Sequence, residues 1–332
     1  MRDFFEFKWI YYLQKLIAPS RKREITNKVL FISQTGTEDW ILGAKARRLS
    51  RFYDGDSEVM FSNKFKNIPI APAYFFLHQK YYSKALRYNP HLKKANCVVM
   101  FTHPEWNKFY SKSHAEYTLK HASKVVCLNK NMANELVSIG INPGNIEVYH
   151  MASNPDVFTP KKKRLGRTIG FCCAYYERKN PQLVLNLIKR IDDLNIILVG
   201  RGWDQCKNFN DLLSKENFTY YADMDYKLYP DLYKKMDVFV SPSFLEGGPV
   251  PLLEAMMSNV VPVASDTGFC PDLIKHGTNG FLFNPETDSV EQIEKLIRQA
   301  LKIEGNISKE VEGHSWKNYG SKIYQLHSSF HK

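Results

Sequence analysis

Residues 240–262, VSPSFLEGGPVPLLEAMMSNVVP, decide the fold of this chain. The apolar run 237–240 leads into this stretch and predicts a strand, and residues 241–251 form a loop with three prolines and two glycines. Residues 252–257 then predict an apolar helix, and residues 260–264 predict a second buried strand. A strand–loop–helix–strand unit of this kind belongs to an α/β sheet and places ligands at the carboxyl ends of its strands.

The loop combines groups that suit two different parts of one ligand. Glycine lets backbone N–H groups approach a ligand closely, and a helix N-terminus offers positive potential to an anion. Glu246 lies in the loop and Glu254 in the first turns of the helix, where both would repel an anion, so they are better acceptors for neutral hydroxyls. Phosphate on backbone groups and hydroxyls on carboxylates fit a nucleotide sugar. The alternative is two acids on the solvated face of an ordinary helix.

The same stretch carries a resemblance to a known family. The Glu-x7-Glu spacing in EGGPVPLLEAM, followed by VVPVASDTGFCPDLIKHGTNGFLFNP, resembles the retaining nucleotide-sugar glycosyltransferases of GT-B fold, the family 4-like glycosyl transferases group 1. The resemblance covers about residues 25–330; it is specific over 165–290 and loose over 50–95. It implies an α/β protein with two Rossmann-like domains facing each other across a cleft. It also implies transfer of a sugar from a UDP- or GDP-linked donor to an acceptor hydroxyl, with retention at the anomeric carbon.

The resemblance also implies roles for residues of the second domain. Lys179 matches the lysine that binds the donor diphosphate at a helix entrance, and Arg178 is the candidate second cation because the family's arginine is missing near Ala174. Glu254 matches the acid that accepts hydrogen bonds from the ribose, and Glu246 matches the acid beside the transferred sugar. Exposed charges are the alternative for both cations. The other predicted donor contacts are Gly36, Gly200, Gly247, Gly248, Pro249 and Val250, and Gly36 could also be a plain turn.

A histidine of the first domain completes the predicted catalytic set. Residues 96–102 predict a buried strand that ends at His103, where a side chain would point into the crevice of such a sheet. The resemblance implies that His103 contacts the donor sugar, so His103, Glu246 and Lys179 are the predicted catalytic residues. A structural histidine is the alternative for His103.

Neither a metal nor a separate cofactor is expected. In the family the leaving phosphate itself takes the acceptor's proton, and fixed cations take the place of a divalent ion. The run Asp223-Met224-Asp225 imitates the D-x-D metal motif of the other glycosyltransferase fold, but it falls in a peripheral loop.

The predicted domain organisation follows the same resemblance. A basic aromatic helix (1–24) precedes an acceptor-side Rossmann-like domain (25–160), and the basic run 161–164 is a solvated linker. A nucleotide-sugar-binding domain (165–312) and a C-terminal helix that crosses back to the first domain (313–332) follow. The helix over 1–24 either lies on an anionic membrane surface or packs on protein.

Composition limits the partners and the compartment. The net charge of +12 suggests an anionic partner, and without a nucleic-acid motif the phosphate of a donor or a membrane surface explains it. Six scattered cysteines without a C-x-x-C pair suggest free thiols. No apolar run of about 18 residues and no secretory signal are evident, so the expected location is cytoplasmic, with peripheral attachment to the inner face of a membrane as a variant.

The sequence therefore predicts a retaining glycosyltransferase whose acceptor is a glycan or a lipid-linked glycan, in the synthesis of a surface polysaccharide or glycoconjugate. Two alternatives remain at this point. One is an inverting transferase of the same fold, and the other is a scaffold at a membrane that has lost activity.

Overall fold

The computed structural model describes residues 23–36, 41–102, 106, 111–207 and 209–331, and it divides the chain into two compact units. Unit 1 takes in the chain up to His150 and the segment Trp316–Lys332. Unit 2 is the continuous segment Met151–Ser315.

Unit 1 is built on a parallel sheet that has six strands within the described ranges, in the order β2-β1-β3-β4-β5-β6. Strands β1, β3 and β4 are buried along their whole length, as expected for a parallel sheet covered on both faces. The strands are β1 (Val29–Ser33), β2 (Ser57–Phe61), β3 (Tyr74–Phe76), β4 (Cys97–Phe101), β5 (Lys124–Cys127) and β6 (Ile146–Val148).

Helices connect these strands, and polar side chains start them. The imidazole of His78 accepts a hydrogen bond from the backbone N–H of Lys80 at 3.0 Å, and the side chain of Asn129 accepts one from Met132 at 2.8 Å. Such caps satisfy donors that the first helical turn leaves unpaired. The helices are α1 (Ile41–Arg51), α2 (Gln79–Tyr88), α3 (Lys112–Leu119) and α4 (Lys130–Ser138).

Unit 2 contains a second parallel sheet, again with six strands in the part of the chain that is described, in the order β12-β11-β10-β7-β8-β9. Read from its other edge, this is the doubly wound order of a dinucleotide-binding fold, with the switch point between β7 and β10. The strands are β7 (Thr168–Cys172), β8 (Asn195–Val199), β9 (Phe218–Tyr221), β10 (Val238–Ser241), β11 (Val261–Ser265) and β12 (Phe281–Phe283).

The helix after β10 begins two residues before the predicted start at residue 252, because Pro251 fits the first turn of a helix, where no N–H is needed. Leu252 to Met257 are all buried in it, so the predicted apolar helix is confirmed. The helices of unit 2 are α5 (Pro181–Arg190), α6 (Phe209–Leu213), α7 (Tyr229–Lys235), α8 (Val250–Met257), α9 (Cys270–Leu273) and α10 (Val290–Ala300).

The last helix, α11 (Trp316–Ser328), returns to unit 1 and packs on α1. A Cβ on Gly320 would lie 2.0 Å from the carbonyl oxygen of Phe52, so glycine permits this close approach. The guanidinium of Arg48 lies over the Trp316 ring at 5.4 Å. Just before α11, the backbone N–H of Ser153 donates to the carbonyl of His314 at 2.9 Å.

The segment before β7 differs from its prediction. Residues 151–160 lie in unit 2 rather than ending the first domain. The linker 161–164 is solvated only in its middle, because Lys162 and Lys163 are exposed while Lys161 and Arg164 are half-buried. Lys161 forms an ion pair with the buried Asp237 at 2.7 Å, and Arg164 donates to the Asn259 side chain at 2.6 Å. A buried carboxylate is stable only with a charged or hydrogen-bonded partner, and Lys161 is that partner for Asp237. This ion pair holds the start of the basic run against unit 2.

The predicted α/β class with two Rossmann-like units is confirmed. The six cysteines are free thiols, as predicted, and five of them are buried. Within the residues that the structure describes, no helix has the length and apolar character needed to span a bilayer.

The Asp237 carboxyl should be a main support of unit 2. It also accepts backbone N–H bonds from Leu165 and Arg167, each at 3.0 Å. Breaking a buried ion pair costs about 3–5 kcal/mol, so Asp237→Asn should lower the free energy of unfolding by that amount in a urea titration. Asp193→Asn is the matched control, because the Asp193–Arg298 pair is exposed and should contribute about 0–1 kcal/mol. Equal losses for the two variants would contradict this role.

The same carboxyl should make stability depend on pH. Burial alone raises the pKa of Asp237, but Lys161 and the backbone N–H groups of Arg167 and Leu165 outweigh burial and hold this pKa below its ordinary value of 3.8. The contribution of the charged Asp237 to the free energy of unfolding is therefore fully present above pH 3.8. It is lost as the pH falls through the lower pKa that Asp237 has in the folded state. Wild-type protein should lose stability in that acid range more steeply than Asp237→Asn does.

Candidate active site

The candidate site lies at the switch point of the sheet in unit 2. Strands β7 and β10 are parallel neighbours, with Val238 opposite Ile169 and Val240 opposite Phe171. Parallel neighbours end at the same edge of a sheet, so the loops that follow them meet there. The loop after β7 carries Lys179 and the loop after β10 carries Glu246, and the two side chains are in contact.

Glu246 is a buried carboxylate, 7% exposed, held between two cations. Lys179 donates a hydrogen bond to its Oε1 atom and forms an ion pair with it. The Nη1 atom of Arg178 lies 3.3 Å from Oε2, and the Ser243 hydroxyl donates to Oε1 at 2.8 Å. Burial alone raises the pKa of Glu246, but Lys179 and Arg178 outweigh burial and hold this pKa below its ordinary value of 4.5.

The two cations sit where the sequence placed them, directly before a helix. Arg178 and Lys179 form the end of a short 3-10 helix, and Asn180 follows with a left-handed φ of 52° and caps α5. Arg178 also donates to the carbonyl oxygen of Leu245. Both cations were predicted to bind a diphosphate, and their pairing with Glu246 was not predicted.

Glu254 is equally buried, 2% exposed, but it is surrounded by neutral hydroxyls. The Tyr226 hydroxyl donates to its Oε1 atom, and the Ser153 hydroxyl lies 3.4 Å from the same atom. The Tyr233 hydroxyl donates to Oε2 at 3.2 Å. Glu254 is therefore arranged to accept hydrogen bonds from hydroxyl groups, whereas Glu246 is arranged against cations.

An aromatic cluster surrounds these hydroxyls. The Phe158 ring packs edge-on against Tyr226 at 5.9 Å and against Tyr233 at 5.8 Å, and Tyr229 contacts Tyr226 at 5.4 Å. Sequence reasoning missed this cluster. A signal was present, because the three tyrosines recur at spacings of three and four residues, which places them on one side of a helical segment.

The loop before α8 brings backbone close to Glu246. Pro249 is the N-cap of α8 and Val250 its first residue, so the positive end of the helix follows Gly247 and Gly248 directly. A Cβ on Gly248 would lie 2.7 Å from the Phe269 ring, so this glycine is required by packing.

Two further predicted site residues, Gly200 and Gly36, lie in the described part of the chain. Gly200 follows β8 with a φ of +147°, and a Cβ there would lie 2.1 Å from the Cys173 carbonyl oxygen, which is a packing reason for glycine. Gly36 forms a turn after β1 of unit 1, with a φ of +83°, and a Cβ there would meet nothing within 4 Å. His103 lies outside the described residues.

The Asp223-Met224-Asp225 run is a local turn. The Asp225 side chain accepts a hydrogen bond from the backbone N–H of Lys227 at 3.0 Å. Across the described part of the chain, no three His, Cys, Asp or Glu side chains are grouped so that they could hold a metal ion.

Residues 157–322, half of the chain, match the family described as glycosyl transferases group 1. The matched range includes Lys179, Glu246 and Glu254.

Two curated relatives are similar over part of their length. The D-inositol 3-phosphate glycosyltransferase of Mycobacteroides abscessus is 22% identical over 225 residues, which is 61% of this chain and 51% of the relative. The lipopolysaccharide 1,6-galactosyltransferase of Salmonella typhimurium is 24% identical over 250 residues, 70% of this chain and 69% of the relative. The chain thus spans only about half of the first of these relatives.

Among solved structures, Anabaena HepE in complex with UDP is similar with a TM-score of 0.71. The identity is 16%, and the match covers 91% of this chain and 100% of HepE. At this identity the likeness shows the fold, which is GT-B.

The packing of Gly248 gives a testable prediction. Gly248→Ala forces a methyl group into the Phe269 ring and should destabilise the protein by about 1–3 kcal/mol. Gly313→Ala is the matched control, because a Cβ there meets nothing within 4 Å. Thermal unfolding of both variants measures the difference, and an unchanged Tm for Gly248→Ala would show that the ring moves aside freely.

Proposed function

The chain belongs to the glycosyl transferases group 1 family, and on that premise we propose that it is a retaining transferase of a nucleoside diphosphate sugar. The donor is UDP- or GDP-linked, and the acceptor is the hydroxyl of a glycan or a lipid-linked glycan. No separate cofactor takes part.

One observation carries the proposal. Two buried carboxylates stand on the same loop and helix at the sheet's switch point, in opposite settings: Glu246 against two cations and Glu254 against neutral hydroxyls. A nucleoside diphosphate sugar offers the matching pair of groups, because it has an anionic diphosphate between a ribose and a hexose, both rich in hydroxyls. We assign the ribose to Glu254 and the transferred sugar to Glu246.

The cations supply the charge stabilisation that the reaction needs. Lys179 and Arg178 together with Glu246 leave one net positive charge at the edge of the sheet. The N-termini of α5 and α8 add positive potential there. Such preorganised groups stabilise the charge that develops on a leaving diphosphate. The proposed backbone contacts to this diphosphate are Gly247, Gly248, Pro249 and Val250.

The acceptor and the location are part of the same proposal. A relative named for lipopolysaccharide supports a glycan or a lipid-linked acceptor. His103 and Gly36 remain predicted contacts, and the predicted membrane helix over residues 1–24 lies, but for its last two residues, outside the described chain. A cytoplasmic protein attached to an anionic membrane remains part of the proposal.

Two alternatives are kept, and one of them has a specific basis in the sequence. Ala174 stands where the family has an arginine, which favours a weakened or inactive scaffold. An inverting transferase of the same fold would use a similar site. Turnover of a nucleotide sugar distinguishes the scaffold from the enzyme, and the proton NMR coupling at the anomeric centre of the new linkage distinguishes retention from inversion.

The two glutamates should affect nucleotide binding in opposite ways. A hydrogen bond to a charged acceptor contributes about 1.5–3 kcal/mol, so Glu254→Gln should weaken binding of the free nucleoside diphosphate roughly ten- to a hundredfold. Glu246→Gln should bind it at least as tightly as wild type, because Lys179 and Arg178 are released for the phosphates, while the transfer rate falls. Isothermal titration with UDP and GDP and a turnover assay measure both effects.

Urea unfolding of each variant is the control, since both glutamates are buried. If Glu246→Gln loses the free nucleotide as badly as Glu254→Gln, the assignment of ribose and sugar is wrong. If folded variants change neither binding nor rate, the site is elsewhere.

Transfer should also be independent of divalent metal. In the proposal Lys179 and Arg178 supply the positive charge at the phosphates that a divalent ion would otherwise supply. The rate should be the same before and after treatment with EDTA. Complete loss of transfer, restored by magnesium or manganese, would contradict this expectation and point to Asp223 and Asp225.

A further inference from the structure

Hydroxyls of the protein already occupy one oxygen of the Glu254 carboxylate, Oε1. Oε1 receives hydrogen bonds from Tyr226 and Ser153, and Oε2 receives one from Tyr233. A carboxylate oxygen has two lone-pair directions, so the two hydroxyls on Oε1 fill it. A ligand hydroxyl that binds Oε1 must therefore displace one of them.

The three hydroxyls differ in how easily they can leave. Ser153 and Tyr233 are 1% and 0% exposed, so their hydroxyls would lose a hydrogen bond inside the protein, where water cannot replace it. Tyr226 is 42% exposed and can turn its hydroxyl into water at little cost. Of the three hydroxyls, that of Tyr226 therefore loses the least free energy when it leaves Glu254.

The local backbone also favours movement of Tyr226. It begins a three-residue 3-10 helix, Tyr226–Leu228, at the surface, and Leu228 in the same segment is 54% exposed. Both tyrosine rings pack on Phe158, but Tyr233 lies inside α7 and is fully buried, whereas Tyr226 lies outside this helix and is partly exposed. Tyr233 is therefore suited to position the carboxylate permanently, and Tyr226 is not.

We propose that Tyr226 is a displaceable substitute for the donor's ribose. In the free protein its hydroxyl satisfies the buried Glu254 carboxylate, and a ribose hydroxyl replaces it when the nucleotide binds. Tyr226 thus stabilises the free site and opposes binding, while Tyr233 and Ser153 hold the carboxylate in both states. This inference rests on the proposed assignment of the ribose to Glu254.

The test compares tyrosine-to-phenylalanine variants by titration with UDP and with GDP. Tyr226→Phe removes a hydrogen bond that only the free protein makes, so it should bind the nucleotide roughly two- to tenfold more tightly than wild type. The free variant should also melt about 2–4 °C lower, because Glu254 loses a donor. At saturating nucleotide the two melting temperatures should converge.

Two further variants serve as matched controls. Tyr233→Phe removes a donor that is kept in both states, so its melting temperature should stay low with nucleotide and its affinity should not rise. Tyr229→Phe removes a hydroxyl from the same aromatic cluster and controls for a general effect of the change.

The outcomes distinguish a failure of the Tyr226 displacement from a failure of the ribose assignment to Glu254. If Tyr226→Phe binds nucleotide as wild type does, or more weakly, while Glu254→Gln loses binding, the ribose assignment stands and the displacement is wrong. The same holds if Tyr229→Phe tightens binding equally. If wild type binds neither nucleotide, or Glu254→Gln binds as wild type does, the proposed function fails, and the inference fails with it.

Discussion

The parallel pairing of β7 with β10 is the contact on which the candidate site depends. It joins segments that are some seventy residues apart, and it brings the loop that carries Lys179 against the loop that carries Glu246. The other features of the site are positioned by the same edge of the sheet. They are the start of α5, the start of α8 and the buried position of Glu254. The pairing itself is supported by Asp237, which lies at the beginning of β10 and accepts backbone hydrogen bonds from the beginning of β7.

Two buried acids eight residues apart would be costly if each were bare, and the chain stabilises them in two different ways. Glu246 is neutralised by cations from a neighbouring loop, which keeps a charged site with a small positive excess. Glu254 is stabilised by hydroxyl groups of the protein, which donate hydrogen bonds to it as water molecules would. A carboxylate that faces hydroxyl donors is arranged to accept a hydrogen bond from another hydroxyl, whereas a carboxylate that faces fixed cations also orients them. One loop and the helix after it thus hold two carboxylates that are suited to different partners.

Sequence reasoning predicted this site unevenly, and the reasons are physical. The helix and loop in EGGPVPLLEAM could be predicted because glycine, proline and a continuous apolar run act locally. The pairing of Glu246 with Lys179 could not, since it depends on two strands that are distant in sequence becoming neighbours. The hydroxyls on Glu254 likewise come from residues 153 and 226, on separate segments. In unit 1, strands β2 and β3 fall within residues 50–95, where the resemblance is loose. No residue of β2 is fully buried, so it lacks the continuous apolar run that identified β4, and β3 is only three residues long.

The return of α11 to unit 1 has a consequence for how the protein is made. On the ribosome, the strands of unit 1 emerge first, but the helix that covers α1 is synthesised only after all of unit 2. Unit 2 is continuous in sequence, so it can complete its own core while unit 1 still exposes the face that Trp316 and Gly320 will cover. Unit 1 is thus completed only after unit 2, although its strands are synthesised before those of unit 2. Until then its uncovered apolar face is exposed to aggregation.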